Sequence, residues 1–162
     1  MADNLVQPSI TMATTYAGLS AGTTTTISTA NTIQYCIRGK AISPKTAITN
    51  GATPTADAAT GLAFTPISAG QGTVIVLGLD ASGNVKAAQG TVTALDSSGA
   101  FILAPQFPNM PDSICPFAYI VLKGGSTLSG TWTFGTNNLS SVTGMVYTFV
   151  NIMGLPDRPQ IS

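Results

Sequence analysis

Apolar and polar side chains alternate through NTIQYCIRG, residues 31–39. Ile33, Tyr35 and Ile37 fall on one face, and Gln34, Cys36 and Arg38 on the other. A period of two marks a strand with one face in a core. The stretch before it, GTTTTISTA, is rich in threonine, whose β-branched side chain disfavours helix and fits a strand. TTTTIS therefore reads as a first strand and Thr29-Ala30-Asn31 as a turn. Later, FAYIVLKGG reads as a strand buried on both faces. TWTFG sets Trp132 and Phe134 on one face and Thr131 and Thr133 on the other, and GMVYTFVNI reads as a last long strand. No stretch carries a sustained helical period.

Turn chemistry organises the middle of the chain. LDASGNV begins at Leu79 and LDSSGAF at Leu95. An Asp side chain can bond the backbone two residues on, and Gly accepts positive φ. Both copies predict hairpin turns, linking strands at residues 73–79, 85–95 and 100–104 in an antiparallel meander. A calcium loop on Asp80 and Asp96 is the alternative, but each copy offers one carboxylate where Ca²⁺ takes about six to eight oxygens. PQFPNMPDSICP carries Pro105, Pro108, Pro111 and Pro116. It cannot be a central strand, and it carries the chain to another sheet or around an edge. Residues 40–61 lack a period and predict a long surface loop with a short strand at 46–49. Such a loop is either functional or a variable insertion. About eight or nine strands between frequent turns predict an all-β fold, an antiparallel β-sandwich or jelly roll.

The chain has 162 residues, which fits one domain. That length buries roughly 68–70% of the unfolded surface, so folding needs no disulfide or metal. The pattern divides it into an N-terminal arm at 1–14, a β domain at 15–153 and a C-terminal tail at 154–162. Leu5, Val6, Ile10 and Met12 surround Pro8, and Leu155, Pro156 and Arg158 lie in GLPDRPQIS. These ends are either disordered tails or arms that dock on neighbouring subunits. In the second case those seven residues are the candidate interface.

Composition changes the picture most through charge. Charged residues are 7% of the chain, with six acids balancing six bases, against about 25% in typical domains. Arg38, Lys40, Lys45, Lys86, Lys123 and Arg158 are scattered, which argues against a nucleic-acid partner. Arg38 and Lys40 read as solubilising a strand end. The apolar runs fall far short of the roughly 20 residues of a membrane helix. MADNLVQPSITM lacks the pattern of a signal peptide. The expectation is a soluble protein made in a cytoplasm, with no membrane partner. A neutral chain with few charges tends to self-associate, unless a Thr/Ser/Asn surface hydrates it or an assembly hides it. Cys36 and Cys115 read as buried free thiols, or as a bridge if their strands meet. The sequon Asn138-Leu139-Ser140 is a three-residue pattern without a secretory signal beside it.

The chain contains no His and no Glu. That removes the commonest general base and the Ser-His and Cys-His pairs. Of the six aspartates, Asp80 and Asp96 belong to turns, Asp3 and Asp157 to the ends, Asp112 to the prolines and Asp57 to the long loop. No pair is favoured for two-carboxylate hydrolysis. Lys123-Gly124-Gly125-Ser126 lies between strands rather than before a helix, so it is not a phosphate loop. A Ser-Lys nucleophile stays open. The expectation is a non-enzymatic protein without cofactor or metal. Tyr16, Tyr35, Tyr119, Tyr147 and Trp132 could form a sugar platform, but strand positions favour core packing for Tyr35, Trp132 and Tyr147.

TYAGLSAGTTTTIS, the paired LDASGNV and LDSSGAF hairpins, FPNMPDSICPFAYIVLKGG and the close TWTFGTNNLSS, VYTFV and LPDRP together resemble virion structural proteins of tailed bacteriophages. The likeness spans most of residues 15–160 and is most similar to small capsid decoration, or cement, proteins. It implies a β-rich dimer or trimer on the outer face of a capsid, with the major capsid protein and copies of itself as partners. A head-fibre base, a neck or tail subunit, and a carbohydrate-binding β-sandwich are the other readings.

Overall fold

A computed structural model describes residues 10–154, where the chain forms thirteen strands and no helix. In chain order these are β1 (Met12–Ala13), β2 (Leu19–Ala21), β3 (Thr26–Thr29), β4 (Tyr35–Ile37), β5 (Lys40–Ala41), β6 (Gly51–Ala52), β7 (Ile67–Ser68), β8 (Gln71–Leu79), β9 (Val85–Gln89), β10 (Thr93–Ala94), β11 (Cys115–Gly124), β12 (Thr131–Trp132) and β13 (Met145–Asn151). All pairings between them are antiparallel. The all-β antiparallel class read from the sequence holds. The strands outnumber the eight or nine expected because many are two-residue rungs.

The two long apolar runs become neighbours. β8 pairs with β11 from Gln71↔Gly124 to Leu79↔Cys115, and β11 pairs on its other side with β13. β9 and β10 lie end to end along the free side of β8. They are the single strand expected at 85–95, broken by a bulge. Gln89 faces Ile75 and Thr93 faces Gly72, so three residues oppose two. The cause is a crossing chain: a Cβ at Gly90 would run into the Gln106 carbonyl oxygen. The strand expected at 100–104 is only a bridge, Leu95↔Phe101.

Both faces of this sheet are covered along its middle, which is why β8 is apolar from Val74 onward and β11 as far as Leu122. On one face Ile75, Leu77, Phe117, Ile120 and Leu122 pack against Ile27, Ile33, Tyr35, Trp132 and Phe134 of the smaller sheets. A register shift between Pro116 and Ala118 lets Phe117 and Ala118 both serve that core. On the other face Val74, Val76, Tyr119 and Val121 lie beneath Phe101, Phe107 and Met110. The Phe107 and Tyr119 rings meet edge-to-face, with centroids 5.1 Å apart. The proline-rich segment passes the β10 edge, where Gln106 O accepts the Thr91 N–H, and rejoins the sheet at Cys115 and Pro116 of β11. It forms the lid of the second core. Each large side chain so buried contributes about 1.5–3 kcal/mol.

The opposing layer is three small sheets, ordered β1-β4-β5, β2-β3-β6 and β7-β12. Ile33, Tyr35 and Ile37 all point into the core, as their alternation requires. β4 and β5 are joined by Arg38 and Gly39 at φ 50° and 73°, the left-handed pair of a two-residue hairpin. Residues 46–49 form no strand. Ile48 exchanges bonds with Thr29 instead, and the rung falls at β6.

Candidate functional site

The central sheet has two outer edges, and they are treated differently. Beside β9 and β10 the backbone is covered. Ala58 N–H donates to Ala87 O at 2.8 Å, Thr91 N–H to Gln106 O at 3.2 Å and Ile102 N–H to Ala94 O at 3.1 Å. Asp57 Oδ2 accepts the Gln89 N–H at 2.9 Å, while its Oδ1 accepts the N–H groups of Ala59 and Thr60 at 2.7 and 3.2 Å. The Gln89 side chain clamps Thr65 by accepting its N–H at 2.7 Å and donating to its carbonyl at 2.9 Å.

The β13 edge is open. Its ladder runs through Gly125 N–H to Gly144 O at 2.7 Å and Ile152 N–H to Phe117 O at 3.0 Å. In that register Val146, Thr148 and Val150 aim their backbone groups at β11. Antiparallel alternation turns those of Tyr147 and Phe149 outward, and no described residue bonds them. The open stretch has fixed ends: Val142 O holds the Met145 N–H at 3.2 Å, and Asn151 Oδ1 accepts the Leu19 N–H at 3.0 Å. Val146 is 54% exposed and Thr148 is exposed. No residue of β13 is charged. Near its first residues a cleft of about 570 Å³ lies between Val146, Gly124–Ser126 and the Asp96–Gly99 turn. An unpaired, uncharged strand edge is a template for another chain.

The twin turns form as read from the sequence. Asp80 Oδ1 accepts the Ser82 and Asn84 N–H groups, both at 2.9 Å, and Gly83 takes φ 75°. Asp96 Oδ1 accepts the Ser98 and Ala100 N–H groups at 2.8 and 2.9 Å, and Gly99 takes φ 80°. Burial works against the Asp80 charge, yet the Asn84 and Ser82 bonds and nearby Lys86 outweigh it, so its carboxyl sits below its ordinary value. The Ser98 hydroxyl, then the Ala100 N–H, lower Asp96 likewise. These carboxylates are occupied in closing turns. Tyr35 Oη donates to the Asp80 carbonyl at 2.9 Å and ties the first turn to β4.

The aromatic side chains are mostly interior. Tyr35, Tyr119 and Trp132 are buried, Tyr147 is half-buried, and Tyr16 is exposed. The Trp132 indole N–H donates to Asn138 O at 2.9 Å. Burial pushes the Tyr147 phenol up to about 12, against the pull of the Trp132 indole. Both thiols are free: Cys115 is buried and Cys36 half-buried. Burial, then Cys36 nearby, pushes Cys115 up to about 12, which leaves it protonated and inert at neutral pH.

Of the candidate interface residues, Ile10 is 53% exposed, whereas Met12 pairs with Cys36 in β1. Residues 10–14 thus carry a rung of the domain within the segment expected as an arm. Leu5, Val6, Leu155, Pro156 and Arg158 lie outside the described residues. Among the described residues no helix is long and apolar enough to cross a membrane. No family model matches the chain, and no curated protein or solved structure matches it either. The open edge escaped the sequence reading because period two identifies a strand but not its neighbours. Its signal was an uncharged last strand.

Proposed function

We propose that the chain is a non-enzymatic structural protein of a phage particle, made in the host cytoplasm, that decorates and reinforces the capsid shell as a symmetric oligomer. The observation that carries this reading is the contrast between the two edges of the central sheet. One edge is covered by Asp57, Gln106 and Ile102, while Tyr147 and Phe149 present unbonded backbone on the other. Natural sheets blunt the edges they do not use. Strand addition offers backbone hydrogen bonds, which lose less to salt than surface ion pairs do. That mode of contact suits a chain with only 7% charged residues. The phage assignment, the capsid surface and the major capsid protein as partner rest on the resemblance of the sequence. Many weak contacts repeated by symmetry add up to a firm shell.

Particles assembled with and without the chain test this. The proposal expects particles lacking it to break at lower temperature and milder osmotic shock. It also expects the purified protein to have a mass that is a multiple of 16.4 kDa. Particles of unchanged resistance would contradict the reinforcing role.

A further inference from the structure

We infer that β13 pairs antiparallel with β13 of a second copy, across a two-fold axis through Thr148. This rests on the symmetric-oligomer part of the proposed function and names its contact. The open stretch reads Val146-Tyr147-Thr148-Phe149-Val150 and is close to a palindrome. The outward backbone groups belong to Tyr147 and Phe149, so these two must bond each other's copies. That fixes the register. Tyr147 faces Phe149 of the second copy, Val146 faces Val150, and Thr148 faces itself. Each pairing is aromatic with aromatic, β-branched with β-branched, or threonine with threonine, which are combinations that stabilise antiparallel strands. Exposed Val146 gains an apolar neighbour, and no like charges meet because β13 carries none. The bonded ends at Met145 and Asn151 limit the contact to these five residues. The same patch is used on both copies, as a two-fold requires.

Thr148 supplies the test, because the pair on the axis is the non-hydrogen-bonded kind, with Cα atoms about 4.5 Å apart. That lies within disulfide range. In the full chain, with Cys36→Ser to remove the half-buried thiol, Thr148→Cys under mild oxidation is expected to give a covalent dimer. Val146→Cys is expected not to, since its two copies sit roughly 13 Å apart in this register. Thr148→Lys places like charges on the axis and is expected to halve the sedimentation mass, while Thr148→Ser preserves it. Three outcomes overturn the pairing but leave an oligomer standing. One is an odd-numbered oligomer whose Thr148→Cys does not cross-link. Another is an even one indifferent to Thr148→Lys. The third is one that dissociates only on removal of residues 1–9 or 155–162. A monomer at every concentration overturns both the pairing and the oligomer.

Discussion

The Asp57 carboxylate accepts the Gln89 N–H at 2.9 Å, and with that bond a surface loop closes an edge of the central sheet. Asp57 is 6% exposed and serves two further N–H groups, of Ala59 and Thr60. Asp57→Ala removes the acceptor of all three part-buried N–H bonds at once. The expected cost is about 3 kcal/mol, read from urea unfolding, together with faster aggregation through the uncovered β9 edge. A loss below about 0.5 kcal/mol, the scale of an ordinary surface substitution, would mean that the loop does not guard the edge.

The turn aspartates give the fold an acid limb. Asp80 and Asp96 both ionise below the ordinary 3.8 of a carboxyl in the folded chain. The unfolded chain therefore binds the proton more readily, and stability rises with pH through that range. It is fully present above the unfolded value and is lost as pH falls through the folded one. Asp80→Asn should flatten the decline below about pH 5. At neutral pH Asp80→Ala should cost about 1–2 kcal/mol by loss of its charge-assisted bonds. Asp96 is more exposed, so Asp96→Ala should shift the denaturation midpoint less.

Trp132 is 2% exposed, and its indole meets Tyr147 at 5.9 Å between centroids. Trp132→Ala should cost about 3–5 kcal/mol, with Trp132→Phe losing less because much of the volume stays. A stably folded Trp132→Ala protein that had lost only glycan binding would favour a sugar-binding role instead.

Much of this architecture was legible in the pattern of the chain. Ile33, Tyr35 and Ile37 face the core, both Leu-Asp-x-Ser-Gly copies close turns, and Trp132 and Phe134 share a buried face. What escaped depended on distant chain. The break at Gly90 exists because Gln106 crosses there. Phe101 bends onto Gly72 and sits under Lys123, with the ammonium 5.1 Å from its ring centre, so the strand expected after the second turn stops at one bridge. Ile48 O accepts the Thr29 N–H, but the Ile48 N–H goes to the Thr29 hydroxyl instead of its carbonyl, so no strand pair is completed there. The open edge shares this origin: residues 146–150 reveal a strand, while only the whole sheet shows that no described residue bonds the outward backbone of Tyr147 and Phe149.

Amide hydrogen exchange separates the two sides of that strand. Val146, Thr148 and Val150 bond β11 in the free chain, and their amides should exchange slowly whether or not the protein is assembled. Tyr147 and Phe149 should exchange fast in dissociated chains and slowly in the assembly. Equal, fast exchange of both residues in the assembly would place the contact elsewhere.

The most direct measurement is an image of the intact particle that resolves where this chain sits and how its copies meet. The account predicts many symmetry-related copies on the outer face of the shell, with β13 strands of adjacent copies side by side. A few copies confined to a neck or tail, or isolated chains with β13 facing solvent, would contradict it.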